Sequence, residues 1–140
     1  MNIKIVTTAQ ELEEAYRIRK MVFVDEQQVP IEEEIDDLES ESIHFLLIEH
    51  EEQVGAGRFR TVDGYGKVER ICILKDKRKG GAGTAIMEGI EDYAKKEGFK
   101  KLKLNAQTQA IPFYQNLGYE TISEEFLDAG IPHKTMAKNI

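Results

Sequence analysis

Apolar residues recur at intervals of three and four in two stretches of the chain, and this spacing predicts two amphipathic helices. The first helix follows Thr8 and Glu11, whose separation is that of a capping box. The second helix ends before Gly98, a residue type that favours the position just beyond a helix C-terminus. One side of the first helix consists of Leu12, Ala15, Tyr16, Arg19, Val22 and Phe23. One side of the second consists of Ile86, Ile90, Tyr93 and Ala94.

The remaining apolar residues fall in short β-prone runs between turn residues. Residues 43–49 and 53–60 flank a polar His-Glu-Glu segment and predict a hairpin. The order of elements predicts an α/β (α+β) fold with a mixed sheet flanked by helices, and we expect residues 1–140 to form a single domain. The other predicted elements are strands at 3–6, 67–74, 101–105, 119–126 and 133–137, a short helix at 111–117, and a loop or short helix after Pro30.

Composition restricts the class of protein. The chain has 140 residues, of which 41% are hydrophobic and 32% are charged, as is ordinary for a globular domain. No apolar run approaches the roughly 20 residues that span a bilayer, and residues 1–6 lack the pattern of a signal peptide. Cys72 is the only cysteine, which excludes an internal disulfide and an all-cysteine metal site. We therefore expect a cytoplasmic protein with no membrane partner.

The charge is unevenly distributed. A net charge of −7 argues against a broad nucleic-acid-binding surface, so we expect no nucleic acid partner. Two interpretations stay open for the acidic segment 32–41: a solvated surface, or a region that attracts a cationic amine. The three histidines are far apart and form no His-x-x-x-His pair, so no metal site is predicted. A local basic cluster predicts a small-anion site and consists of Lys75, Lys77, Arg78 and Lys79.

The glycine-rich segment 77–84 carries the sharpest chemical signal. Its glycines let the backbone approach a phosphate, and the helix that follows offers unpaired N–H groups at its N-terminus. Together with the basic side chains, this predicts a pyrophosphate site, although a glycine-rich turn with a solvated basic flank is the alternative. A Walker A loop is excluded because no lysine separates Gly83 from Thr84. A dinucleotide fingerprint is excluded because Ile86 occupies the third small-residue position.

Two motifs in this chain resemble those of the GNAT acetyltransferase superfamily. Arg78, Gly81 and Gly83 match the family's Arg/Gln-x-x-Gly-x-Gly/Ala signature, and residues 113–119 match its aromatic pair on a short helix followed by Gly-Tyr. The run at 19–27 is similar to the Arg-x-x-Val-Phe-Val-x-Glu-Gln run of small bacterial ElaA-like members. The resemblance implies a mostly antiparallel sheet of six or seven strands with two splayed central strands.

The resemblance also implies acetyl-CoA as co-substrate, without a metal. The acceptor would be a small-molecule or peptide amine, and a homodimer is possible because many family members dimerise. Main-chain groups at Ile71, Cys72 and Ile73 would pair with the pantetheine arm, and Asn105 and Tyr114 would also contact the cofactor. The pyrophosphate would bind the segment formed by Arg78, Lys79, Gly80, Gly81, Ala82, Gly83 and Thr84.

Catalytic roles follow from the same resemblance. Tyr114 would protonate the departing thiolate as a general acid, and its alternative role is that of an aromatic core residue. Main-chain amides near Ile71 and Ile73 would polarise the thioester carbonyl. Direct attack on the thioester needs no acyl-enzyme, so we interpret Cys72 as a packing residue.

Several groups are candidates for the acceptor end of the site. Glu26 and Glu69 could take the proton of the amine, with His133 and His44 as further candidates. Glu26 and His133 could also bind the substrate, and Asn105 could orient it. For each carboxylate or histidine the alternative is a residue that is merely exposed or hydrogen-bonded. An acyl-CoA-binding or sensing module without transfer activity is the rival function.

Overall fold

A computed structural model describes residues 1–140 and contains an eight-stranded sheet with helices on both faces. The helices are α1 (Ala9–Arg19), α2 (Ile31–Glu34), α3 (Ala82–Lys96) and α4 (Ile111–Asn116). The strands are β1 (Asn2–Ile5), β2 (Ile43–Glu49), β3 (Glu52–Val62), β4 (Tyr65–Ile73), β5 (Lys101–Gln107), β6 (Glu120–Thr121), β7 (Phe126–Asp128) and β8 (Ile131–Asn139). None of the helices is both long enough and apolar enough to cross a membrane.

The sheet is antiparallel except at its centre. Its strand order is β1-β2-β3-β4-β5-β8-β6, with β7 pairing β8, and only β4 and β5 run parallel. These two strands pair only over Gly66–Val68 and Leu102–Leu104 and then diverge. A bulge in β4 also bends this strand. The register of β4 against β3 shifts between Glu69 and Cys72, and Arg70, which lies between them, has a φ of 57°. The central strands are therefore splayed, as expected.

Local sequence signals determine where the main helices begin and end. The Glu11 amide donates to Thr8 Oγ1 at 3.1 Å, and the Thr8 amide donates to Glu11 Oε1 at 3.1 Å, so the capping box is present. At the end of α3, Gly98 has a φ of 87° and Phe99 donates its amide to the Ala94 carbonyl at 3.0 Å. Beyond α1 the chain continues as a π-helical segment, Lys20–Glu26.

The two faces of the sheet carry separate cores. Phe45 on β2 belongs to the larger cluster, which packs around Ile86 and Ile90 of α3. The neighbouring Leu46 belongs to a smaller cluster that packs against Ile18 of α1. Because successive side chains of a strand point to opposite faces, α1 and α3 cover opposite sides of the same strands.

The predicted α/β fold is confirmed, and one predicted strand is divided into two in the structure. The segment expected to be one strand at 119–126 forms β6 and β7 instead, which raises the strand count to eight. Ser123 explains the break, because its Oγ accepts the Thr135 amide at 2.8 Å, in place of a main-chain carbonyl. The side chain thereby interrupts the ladder with β8.

The acidic segment 32–41 is only in part the solvated surface considered from the sequence, because Glu32, Glu33, Asp37 and Glu41 are exposed and the other acidic residues are not. Glu34 and Glu39 are 3% and 8% exposed, and both bind the buried guanidinium of Arg19, at 2.8 and 2.7 Å. Asp36 binds the buried Arg58 at 2.8 Å. Two buried arginines require carboxylate partners, so three of the seven acidic residues of this segment, Glu34, Asp36 and Glu39, form an ion-pair network instead of facing solvent.

Candidate active site

A cleft of about 670 Å³ opens where β4 and β5 diverge. The glycine-rich loop before α3 forms one end, and α2, the segment after α1 and the turn between β7 and β8 contribute to its walls. Most of the site residues predicted from sequence line this one cleft: Glu69, Ile71, Cys72, Ile73, Arg78, Lys79, Gly81, Ala82, Gly83, Thr84, Asn105, Tyr114 and His133. Glu26 and Gly80 are not among the lining residues.

Unpaired amides are concentrated at the loop end of the cleft. Gly81 is the N-cap of α3 with a φ of 82°, and the first amide bonded back to it is that of Ala85, at 3.0 Å. The amides of residues 82–84 therefore have no partner within the helix. A Cβ on Gly83 would meet the Phe113 ring at 3.1 Å, so glycine here allows α3 and α4 to pack closely. A 15-residue helix with free amides at its N-terminus is suited to binding an anion.

Arg78 binds Glu26, a pairing of two residues to which the sequence assigned separate roles. Both guanidinium Nη atoms contact the Glu26 carboxylate at 2.7 Å, and Arg78 Nε donates to the Ile73 carbonyl at 2.9 Å. The hydrogen bonds from Arg78 lower the pKa of Glu26. This direction is opposite to that required of a general base at neutral pH. The pair ties the loop to the end of β4 and to the segment after α1.

The main chain of β4 presents hydrogen-bonding groups to the cleft. The Leu74 amide donates to the Val54 carbonyl of β3 at 2.9 Å. Because main-chain groups of successive residues point to alternate edges of a strand, those of Ile73 and Ile71 point away from β3, toward the cleft. Beyond Val68 that edge has no paired strand. Cys72 is 4% exposed in the core beneath α1, and burial raises the pKa of its thiol to about 12. Its burial agrees with a packing role.

Tyr114 lies on α4 with its ring packed between two aromatic neighbours. The ring centroids of Phe113 and Tyr119 are 5.0 and 5.9 Å away, in edge-to-face arrangements. Burial raises the pKa of the Tyr114 hydroxyl to about 12, and this hydroxyl forms no hydrogen bond within the protein. It is therefore a protonated group at neutral pH with its hydrogen available to a bound molecule.

Carboxylates in the cleft are engaged by arginines. Burial acts to raise the pKa of Glu69, but its ion pairs with Arg60 at 2.7 Å and Arg58 at 3.1 Å outweigh burial and lower the pKa. Burial raises the pKa of Glu34, which nevertheless binds Arg19 and, at 3.3 Å, Arg70. The cleft therefore offers no unpaired buried carboxylate.

Asn105 and His133 lie on the two strands beside the opening. Asn105 follows Leu104, the last residue of β5 that pairs with β4, and its Oδ1 accepts the Thr135 hydroxyl at 2.8 Å. His133 Nδ1 lies 2.7 Å from the Ile131 carbonyl, and its ring stacks on Phe126. His44 lies outside the cleft and bonds the Glu39 carbonyl at 2.9 Å, and burial lowers its pKa.

Some residues that line the cleft were not predicted from the sequence. The similarity at 19–27 pointed toward the wall after α1 but singled out Glu26, whereas its neighbours line the cleft. Glu34 was considered only as part of the acidic segment 32–41, and Arg70 gave no signal, because the ion pair that positions them joins residues distant in the chain. The lining residues missed are Val22, Phe23, Gln27, Val29, Glu33, Glu34, Val68, Arg70, Leu104, Ala106, Gln107, Gln109, Ala110, Phe113, Asp128, Ala129 and Ile131.

Comparison with known proteins identifies the family. The profile of the family described as "Acetyltransferase (GNAT) domain" matches residues 7–140. YjcF of Bacillus subtilis (strain 168), named an uncharacterized N-acetyltransferase, is 52% identical over 140 residues, which cover 99% of this chain and 100% of YjcF. The chain belongs to the GNAT acetyltransferase family. The similarity inferred from the two motifs is thereby confirmed.

Solved structures agree with this GNAT assignment at the level of the fold. Escherichia coli ElaA superposes with a TM-score of 0.85 at 22% identity, covering 99% of each chain. A Bacillus subtilis acetyltransferase in complex with CoA superposes with a TM-score of 0.75 at 13% identity, covering 99% of this chain and 98% of that one. The fold of this GNAT domain is therefore shared with proteins of low sequence identity.

Proposed function

We propose that this GNAT protein transfers the acetyl group of acetyl-CoA to the primary amine of a small molecule or peptide in the cytoplasm. One observation carries the proposal. A single cleft combines unpaired helix amides, a free strand edge and a protonated Tyr114 hydroxyl. These groups suit the phosphates, the pantetheine arm and the thioester end of one elongated molecule. Homodimerisation stays a prediction.

The lining of the cleft is chemically compatible with CoA. The amides of residues 82–84 and the basic Lys79 would bind the pyrophosphate, while Arg78 would hold the loop against β4. Main-chain groups of Ile71 and Ile73 would bind the arm, as an added strand binds a sheet edge. A side chain at Gly81 would project into open space, where a phosphate could approach.

Transfer would proceed by direct attack of the amine on the thioester. Cys72 is an unsuitable nucleophile, because its thiol is buried and its pKa is about 12. An amide on the cleft edge of β4 would stabilise the charge that develops on the carbonyl oxygen. Tyr114 would donate its proton to the sulfur as the C–S bond breaks. Acetyl-CoA supplies the activated acyl group, and this chain supplies position, amides and the acid.

A screen with acetyl-CoA and a library of primary amines tests the proposal. Acetyl-CoA should raise the melting temperature, because a ligand that binds the folded state stabilises it by mass action. Addition of a suitable amine should release free CoA thiol and yield the N-acetylated amine. Binding without turnover against every amine would favour the rival function, an acyl-CoA-binding or sensing module.

A further inference from the structure

His133 differs from the other cleft residues in being a buried side chain with a basic nitrogen that has no protein partner. The residue is 8% exposed and lines the cleft. Because a carbonyl oxygen can only accept, the 2.7 Å contact with Ile131 requires the hydrogen to be on Nδ1. Nε2 of the neutral ring therefore carries a lone pair, and it makes no hydrogen bond within the protein.

The surroundings hold this ring in one orientation. Phe126 of β7 stacks on it with the ring centroids 6.0 Å apart and 22° between the planes, and Gln107 of β5 is its partner in the sheet register. The charged groups nearby are Asp128 at the end of β7 and Lys134 on the same strand, while β5 contributes the uncharged Gln107. Stacking and the Nδ1 hydrogen bond together fix both the ring and its tautomer, as a positioned proton acceptor requires.

The other basic groups of the cleft are less suited to accept a proton. Arginines bind Glu69 and Glu34, and Glu26 lies outside the cleft on Arg78. Glu33 and Asp128 line the cleft without an ion pair, but both are exposed, so water competes for their oxygens. His133 alone combines burial, a free lone pair and a fixed orientation.

We propose that His133 is the general base that accepts the proton of the acceptor amine, an assignment that rests on the proposed acetyl transfer. An amine that enters as an ammonium ion gives one proton to Nε2, and Nδ1–H remains bonded to Ile131. The nitrogen then forms the C–N bond, the C–S bond breaks, and the sulfur takes a proton from Tyr114. After the C–N bond has formed, the nitrogen still carries one excess proton, which passes through solvent to the Tyr114 oxygen. The products are therefore the amide, the free thiol and one proton, which His133 releases to solvent.

Kinetics of His133→Gln and His133→Ala test the assignment, using the amine that gives the fastest thiol release in the library screen. We expect kcat/KM for that amine to fall about 10²–10⁴-fold in both variants, with acetyl-CoA affinity by calorimetry within a few-fold of wild type. The acidic limb of the pH–rate profile should disappear, and added imidazole should restore part of the rate to His133→Ala. The matched control is His50→Gln, since the His50 side chain is 90% exposed and lies outside the cleft.

A raised KM for the amine with unchanged kcat and an unchanged pH profile would overturn the assignment and make His133 a substrate-binding residue. Long-range ¹H–¹⁵N spectra of the free protein provide a readout that does not depend on turnover, with His133→Gln identifying the signal. We expect the Nδ1–H tautomer, and an Nε2–H tautomer would overturn the proposal even if no acceptor were found. Wild-type protein that acetylates no amine would instead refute the proposed function, and with it the role of His133.

Discussion

Burial of Tyr114 determines what this residue can do. A phenol with a pKa of about 12 keeps its proton across neutral and moderately alkaline pH, so it can act as an acid and not as a base. Burial also raises the pKa of the Cys72 thiol on β4 and thereby removes its reactivity. Desolvation therefore favours one proton donor and disfavours one nucleophile within the same cleft.

Replacement of Tyr114 by Phe deletes the hydroxyl and keeps the packing with Phe113 and Tyr119. We expect kcat to fall about 10²–10⁴-fold, because the thiolate loses its proton donor. Acetyl-CoA affinity should stay within a few-fold, and calorimetry on the same preparation checks this. An unchanged kcat with the true acceptor would mean that solvent or another group protonates the sulfur.

The contact between Arg78 and Glu26 changes what we expect of Glu26→Gln. From the sequence alone, loss of the Glu26 charge should lower kcat/KM for the amine. In the structure, however, the Glu26 carboxylate neutralises Arg78, a basic residue of the loop. We therefore expect acetyl-CoA to bind a few-fold more tightly to the variant, with a smaller gain at high salt because ions screen exposed charges. Titration calorimetry at two salt concentrations measures this.

Glu52→Gln is the matched control for Glu26→Gln. Glu52 pairs with the loop residue Lys77 at 3.6 Å, yet neither residue lines the cleft. Its removal should leave acetyl-CoA affinity unchanged. A raised KM for the amine in Glu26→Gln, with constant acetyl-CoA affinity, would return Glu26 to the acceptor site.

At the scale of elements, the junction of the glycine-rich loop with α3 provides the sharpest test of cofactor binding. Gly81→Asp adds a negative charge beside the free amides of residues 82–84, where a phosphate would bind. We expect acetyl-CoA affinity to fall at least about tenfold, a loss of about 1.4 kcal/mol or more, with the fold retained. Calorimetry and circular dichroism measure the two effects.

Gly64→Asp separates the charge effect from backbone strain. Gly64 has a φ of 84°, close to the 82° of Gly81, and a Cβ at either position meets no atom within 4 Å. It lies in the turn between β3 and β4, outside the cleft. Equal losses of acetyl-CoA affinity in the two variants would mean that the glycine-rich loop does not bind the cofactor.

Local signals predicted the elements better than the contacts between them. The capping box at Thr8 and the glycine after α3 mark helix ends because both act within one turn of the chain. The break at Ser123 and the bulge at Arg70 were not predictable from periodicity, since each depends on a partner strand. Similarly, the loop was found from its glycines, whereas the Arg78–Glu26 pair joins residues 52 positions apart.

Across the whole molecule, one ion-pair network joins α1, the acidic segment and the sheet. Arg19 lies at its centre, 1% exposed, with Glu34 and Glu39 as partners. Glu34 also lines the cleft, so the network holds one wall of the site in place. The stability of the fold and the shape of the cleft are thereby linked through buried charge.

Arg19→Met should reveal this dependence. Removal of the guanidinium takes one of two arginine partners from each of two buried carboxylates, because Glu34 keeps Arg70 at 3.3 Å and Glu39 keeps Arg58 at 3.0 Å. This should lower the free energy of unfolding by about 3 kcal/mol. Arg17→Met is the control, because its ion pair with Glu14 is on the surface and should contribute about 0–1 kcal/mol. Urea denaturation measures both variants, and equal losses would contradict a structural role for the network.

Single-turnover analysis of the wild-type protein tests the central claim, direct acetyl transfer in this cleft, most directly. Enzyme in excess over acetyl-CoA is mixed with the best acceptor amine and quenched over time, and mass spectrometry follows the protein, the thiol and the amine. Direct transfer predicts that N-acetylated amine and free thiol appear together at one rate, with no acetylated protein at any time. Acetyl-protein that forms and then decays would contradict direct attack, and thiol release without acetylated amine would contradict the transferase assignment.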